Sequence, residues 1–251
     1  MRKEIYINPK YASLNDFINR IPEKFEQLGV LIHTGRNDVR DVEIDGVRVV
    51  IKSFIRITGL NKLVFATIRK SKAQRSYEHS MNLLEDGITS PEPIAYINCY
   101  KNCLLVNSYY VCVYTNYQPV DELFERPLLE SEQALKAFAR FTYRLHRLGI
   151  YHNDYNVSNV LYSYNGKNYD FSIIDNNRMR FTRYSYFKGL RSLQRIQLPI
   201  EKLAVIGSEY AAQAHTSDLK TMNVLILFRF QYLNKLFLKK QFKALVHKTK
   251  N

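Results

Sequence analysis

The segment HNDYNVSNVLY, residues 152–162, sets His152, Asp154 and Asn159 in a polar loop between the helix-like run ALKAFARFTYRLHRLGIY and an apolar strand. An Asp and an Asn five residues apart are by themselves a common accident. Three further residues change the reading. Lys52 closes the apolar run VVIK upstream, Glu78 follows on a helical stretch, and Asp175 ends the apolar run FSIID downstream. A strand-end Lys, a helix Glu, a loop H-x-D-x-x-x-x-N and a strand-end Asp, in that order, are the parts of a phosphoryl-transfer site. The transferred group spreads negative charge over its oxygens, so the protein supplies mainly position and positive charge. On this reading Lys52 holds the α- and β-phosphates of ATP and Glu78 keeps the lysine charged and aimed. Asn159 and Asp175 offer Mg2+ the hard oxygens it prefers. Asp154 takes the proton of the acceptor hydroxyl.

Two differently built halves must position these residues. Residues 1–115 read as a small β-rich lobe with one main helix. KEIYI is strand-like, and SLNDFINRIPEKF opens on Ser13 as an N-cap with Asp16 three residues on. VLIHTG, DVRDVEI and VRVVIKSFI are β-rich runs parted by turns containing Gly35 and Gly46, the pattern of an antiparallel meander. A basic helical stretch, KSKAQRSYEHSMNLLEDGI, closes at Gly87, and PEPIAYIN and CLLVNSYYVCVYTNY restore the strand pattern. Residues 116–251 read as mainly helical, apart from the short strands NVLYSY and DFSIID joined by a turn at Asn165 and Gly166. The expected class is α+β, a single domain of two lobes.

Composition excludes several other classes. With 46% hydrophobic and 24% charged residues the chain is globular rather than disordered. The opening MRKEIYINPKYASL is basic but runs into no apolar stretch of signal-peptide length, and no later stretch reaches the roughly twenty apolar residues of a bilayer span. The expectation is a protein neither secreted nor transmembrane. Cys99, Cys103 and Cys112 show neither a C-x-x-C pair nor a zinc pattern, which fits reduced thiols in a cytosol. A formal net charge of +14 calls for an anionic partner. No acid lies between Asp45 and Glu78, between Asp175 and Glu201, or after Asp218, so the basic residues stand in blocks. The last block interleaves Lys235, Lys239, Lys240 and Lys243 with Leu236, Phe237, Leu238, Phe242 and Leu245. Either it is a basic amphipathic helix on an anionic membrane, together with the basic segment 56–75, or its apolar face packs on the core. No nucleic-acid-binding motif is present, and none is expected as partner.

The ordered residues resemble the protein-kinase-like superfold. The wording of GRNDVR (35–40), VVIKSF (49–54), RKSKAQRSYEHSMNLLEDGITSPEPIAYI (69–97), ARFTYRLHRLGIYHNDYNVSNVLY (139–162) and FSIIDNNRMRF (171–181) is similar to the bacterial lipopolysaccharide kinases of the Kdo/WaaP group. That resemblance implies a small antiparallel-sheet N-lobe, a helical C-lobe, and transfer of phosphate from ATP to a sugar hydroxyl of inner lipopolysaccharide. The implied acceptor is lipid A-linked Kdo or, next, a core heptose, reached from the cytoplasmic face of the inner membrane. The Lys, Asp and Asn roles carry over to Lys52, Asp154 and Asn159. Glu78 carries over across an inserted segment, IRITGLNKLVFATIRKSKAQ.

The departures narrow the class further. No G-x-G-x-x-G loop is present, so phosphate contacts at the Gly35 turn fall to the backbone around Arg36, Asn37 and Asp38. HND has no Arg before its Asp, DNN stands where D-F-G would, and no A-P-E follows, which argues against a kinase switched by activation-loop phosphorylation. Arg178 and Arg180 follow Asp175 and suit bidentate capture of the Kdo carboxylate, or serve structure alone. His152 reads as an organiser of its loop. Two other functions stay open: a kinase of another small molecule or of protein, and a pseudokinase that binds nucleotide without turnover.

Overall fold

The computed structural model describes residues 1–54 and 70–248, so most of the basic segment 56–75 lies outside the described residues. The chain divides into two compact units, Met1–Tyr117 with Ser172–Arg178, and Gln118–Phe171 with Met179–Asn251.

The first unit is built on a six-stranded antiparallel sheet. Its strands are β1 (Arg2–Ile7), β2 (Val30–His33), β3 (Asp38–Ile44), β4 (Val47–Ser53), β5 (Pro93–Lys101) and β6 (Leu104–Val113), in the order β1-β5-β6-β4-β3-β2. The β3–β4 turn is Asp45-Gly46, both at positive φ (49° and 75°), the backbone that matches the twist of a two-residue hairpin. Side chains alternate across each strand, so the sheet has two apolar faces. One face buries Val49 and Ile51 of β4 with Ile18, Ile21 and Phe25, supplied by helix α1 (Asn15–Lys24) and the turn after it. The other gathers Tyr110 and Cys112 of β6 with Phe54, Ala73 and Tyr77 beside Val50 of β4. Lys52 shares the Val50 side of β4 by the same period-two alternation, which is also the side of helix α2 (Lys72–Glu85). The Ser71 hydroxyl caps α2 by accepting from the Gln74 N–H at 3.0 Å. Ser13 does not cap α1, because a 3-10 helix over Pro9–Leu14 runs directly into it and Asn8 holds that earlier start by accepting from the Lys10 N–H.

The second unit is mainly helical. It holds β7 (Gln118–Pro119), α3 (Val120–Glu125), α4 (Leu128–Arg147), β8 (Ile150–His152), β9 (Val160–Tyr164), β10 (Tyr169–Ile173, whose last two residues count with the first unit), β11 (Met179–Phe181), α5 (Tyr186–Leu193), α6 (Ile200–Gln213) and α7 (Asp218–Lys248). Strands β10, β9 and β7 form one small sheet and β11 and β8 another. The buried stripe Leu135, Phe138, Ala139, Thr142 and Leu145 of α4 has the helical spacing that faces a core. Phe138 meets Phe124, Tyr155 and Phe171 at ring separations of 5.3, 5.8 and 5.7 Å.

Helix α7 differs along its length in how it packs. Thr221, Leu225 and Phe228 are buried, and Arg229 donates to the Ile196 and Leu198 carbonyls, so the first half packs on its unit. From Leu233 to Phe242 every residue is exposed, Phe237, Leu238 and Phe242 at 59, 66 and 69%. No described helix is long and apolar enough to cross a membrane.

Candidate active site

In the first unit the chain brings Lys52 onto Asp175. The lysine Nζ lies 2.6 Å from Asp175 Oδ1, and the side chains are 19 and 26% exposed. Partial burial matters here, since removing water strengthens the attraction while also disfavouring either charge alone. Asn177 donates from Nδ2 to the same oxygen at 2.6 Å. Asp175 itself adopts positive φ (57°), a left-handed conformation that Asp tolerates better than most residues. The next residue anchors that turn. Asn176 is 4% exposed and donates to the hydroxyls of Ser80 and Ser90, both at 2.9 Å, while its carbonyl accepts from His79 Nδ1 at 2.7 Å. Burial lowers the His79 pKa, so the ring donates as the neutral tautomer near neutral pH.

The expected Lys52–Glu78 pair is replaced. Both Glu78 carboxylate oxygens accept from Lys70 Nζ at 2.8 Å, and Gln74, one turn earlier on α2, adds a bond at 3.1 Å. Two partners within eight residues satisfy this carboxylate locally, while Asp175 satisfies Lys52. Asn37, in the turn between β2 and β3, has a buried Oδ1 with no partner among the described residues. Such an oxygen is an acceptor, suited to a hydroxyl or amine rather than a phosphate oxygen. Arg178 is exposed at the end of the first unit's Ser172–Arg178 segment, whereas Arg180 is exposed on β11 of the second unit, opposite Tyr151.

In the second unit the loop between β8 and β9 holds Asp154 from three sides. Its N–H donates to His152 Nδ1 at 3.0 Å, which gives the buried histidine the organising role expected of it. Its carbonyl accepts from Asn159 Nδ2 at 2.9 Å, and its carboxylate accepts from Arg195 at 2.9 Å. With the amide nitrogen committed to the loop, Asn159 keeps its amide oxygen for another partner, as a magnesium ligand requires. Tyr155 closes the underside, stacked on Phe138 and bonded to the Thr142 hydroxyl at 2.8 Å.

Sequence reasoning passed over Lys72, Asn176, Asn177 and Arg195. Asn176 and Asn177 stood in the quoted DNN, and Lys72 stood at the start of a basic helix. Nothing local to Arg195 pointed to Asp154, 41 residues away.

A family model, the lipopolysaccharide kinase (Kdo/WaaP) family, matches residues 60–211, more than half of the 251-residue chain. The chain belongs to the lipopolysaccharide kinase (Kdo/WaaP) family. The span that carries this membership includes Glu78, Asp154, Asn159, Asp175, Arg178, Arg180 and Arg195, while Lys52 and Asn37 precede it. Comparison with curated proteins gave no match. Among solved structures, this member of the lipopolysaccharide kinase family is similar to one described as WaaP in complex with acyl carrier protein. The match has 14% identity and a TM-score of 0.64, and covers 94% of this chain and 100% of that one. At that identity the likeness establishes the kinase-like fold. A MAP kinase, LmaMPK10 from Leishmania major, matches at 14% identity and a TM-score of 0.43, over 85% of this chain and 66% of that one.

Proposed function

We propose that the protein is an ATP-dependent kinase that phosphorylates a sugar hydroxyl of the inner lipopolysaccharide core, with lipid A-linked Kdo as acceptor. The observation that carries the catalytic part is the Lys52–Asp175 contact at 2.6 Å, which joins a strand-end cation to a strand-end carboxylate far away in sequence. The family supplies the substrate class. In this reading Lys52 binds phosphate oxygens of ATP, and Asp154 orients the acceptor hydroxyl and takes up its proton. Arg195 holds the Asp154 carboxylate in place. Asp175 and Asn159 are the residues that would hold Mg2+, which when bound would offset the charge of the phosphate oxygens. A carboxylate and an amide oxygen are the hard donors that ion favours, so the residues present fit it.

Arg178 is assigned to the acceptor carboxylate, because its planar guanidinium suits bidentate capture and it lies three residues after Asp175. Arg180 is a second candidate for that contact. The exposed, basic and apolar second half of α7 is assigned to the anionic cytoplasmic face of the inner membrane, where the acceptor sugars lie close to the bilayer.

The test is phosphate transfer from ATP in the presence of Mg2+ to purified lipid A-Kdo, to an aminoglycoside and to a casein-type protein. The expected result is one phosphate added to the glycolipid by mass spectrometry. Transfer to the aminoglycoside or the protein alone would replace this acceptor assignment, and ATP binding without transfer to any of them would favour a pseudokinase.

A further inference from the structure

A second lysine stands beside the Lys52–Asp175 pair. Lys72 opens α2, and its Nζ lies 5.6 Å from the centre of the Phe54 ring, the same distance at which Lys52 Nζ lies from that ring. Phe54 is 1% exposed, so both ammonium groups share one buried aromatic surface. Lys72 is half-buried, and among the described residues no carboxylate pairs with it. The chain around it offers none, because no acid occurs between Asp45 and Glu78, the segment 55–69 included. Glu78 is taken by Lys70, and Asp175 Oδ1 already accepts from Lys52 and Asn177. Burial lowers the Lys72 pKa first, the charge of Arg178 next, and Asp175 opposes them. The face of an aromatic ring offsets only part of the cost of such a group. An ammonium that is half removed from water, with Lys52 and Arg178 acting on it as like charges and Asp175 shared with Lys52, suits a further anion, and the anion that fits several neighbouring cations is a phosphate chain.

We propose that Lys72 is a phosphate-binding residue of the nucleotide site, acting with Lys52 on the polyphosphate of ATP. The inference rests on the ATP-dependent reading above and adds a residue to it. It also gives the chain a side-chain phosphate contact in place of the Gly-rich loop it lacks.

Calorimetric titration of the full chain with adenosine, ADP and Mg-ATP tests the proposal, using wild type, Lys72→Gln and Lys72→Arg. Lys72→Gln is expected to weaken ATP binding roughly tenfold or more, as loss of a charge-assisted bond does. ADP should lose less, and adenosine should bind as before. Lys72→Arg should recover most of the affinity, and the melting temperature without ligand should be unchanged. ATP affinity at the wild-type level in Lys72→Gln would overturn the proposal, as would an equal loss for adenosine. A raised KM for the glycolipid with ATP affinity intact would assign Lys72 to a phosphate on the acceptor and overturn the nucleotide assignment. Wild-type protein that binds no ATP would remove the kinase reading itself, a result separable from a Lys72 variant that behaves as wild type.

Discussion

Lys52 and Asp175, 123 residues apart in sequence, meet at 2.6 Å within the first unit, although β10, which leads to Asp175, begins in the second. Removing either charge leaves its partner partly buried and uncompensated. Asp175→Ala is expected to abolish the rise in melting temperature that Mg-ATP gives the wild type, since stabilisation by a ligand follows its affinity for the native state. Lys52→Ala should reduce that rise and leave glycolipid binding intact. Differential scanning fluorimetry with and without Mg-ATP measures both, and wild-type shifts in both variants would move the nucleotide site elsewhere.

Asp154 is fixed through its N–H, carbonyl and carboxylate, by His152, Asn159 and Arg195. Asp154→Asn keeps the shape, and the Arg195 pair it removes is partly exposed, so stability should change by no more than about 1 kcal/mol. Turnover should fall about a hundredfold or more, with nucleotide affinity kept, because a positioned base contributes on that scale. Steady-state kinetics beside a melting curve decides it, and near-full activity would take the base role away from Asp154.

Asn176 ties the Asp175 turn to α2 through Ser80, and through Ser90 beyond it. Asn176→Leu leaves two buried hydroxyls short of a donor and should destabilise the fold by about 2 kcal/mol in urea denaturation. The Mg2+ concentration for half-maximal ATP binding should rise along with it. Ser90→Ala, which leaves the Ser80 contact in place, should do less of both.

His146 is buried, with its ring nitrogens bonded to the Tyr210 hydroxyl at 2.9 Å and the Ser192 hydroxyl at 2.8 Å. Burial lowers its pKa to about 3 from the usual 6.5. The native ring therefore stays neutral where the unfolded chain takes up a proton, and stability falls as pH drops from 6.5 towards 3. The slope from this one group is about 1.4 kcal/mol per pH unit, so about 2 kcal/mol is lost by pH 5. His79, also shifted down by burial, acts in the same direction. Denaturation midpoints between pH 7 and pH 4.5 should show the decline, and His146→Gln should flatten it by close to one proton.

The second half of α7 exposes Leu233, Leu236, Phe237, Leu238 and Phe242 together with Lys235, Lys239 and Lys240. Each cation near an anionic bilayer contributes about 1 kcal/mol, which salt screens. Flotation should show the intact chain on anionic vesicles at low ionic strength, released at high ionic strength, and weakly on neutral ones. Changing Lys235, Lys239 and Lys240 to Gln should lose most of that binding. Equal flotation with neutral vesicles, or none lost in the Gln variant, would leave the tail no electrostatic role at the membrane.

The sequence by itself determined what depends on near neighbours along the chain. The β-rich runs DVRDVEI and VRVVIKSFI were legible with the turn at Gly46 between them, and Gly87 closed the helical run that became α2. H-x-D-x-x-x-x-N named the loop between β8 and β9, where the short spacing lets His152 and Asn159 bond to Asp154. Only the tertiary structure decided which charges meet. The chain has 37 Lys and Arg and 23 Asp and Glu, so residue type permits many pairs and spatial proximity selects among them. Thus Glu78 went to Lys70 while Asp175 took Lys52, and Arg195 reached Asp154. Ser172–Arg178, which carries Asp175, joined the first unit, although the strand that leads to it begins in the second. Burial is likewise a property of the packed chain: Leu225 and Phe228 of α7 are buried while Phe237, Leu238 and Phe242 of the same helix are exposed, a division that their residue types do not set.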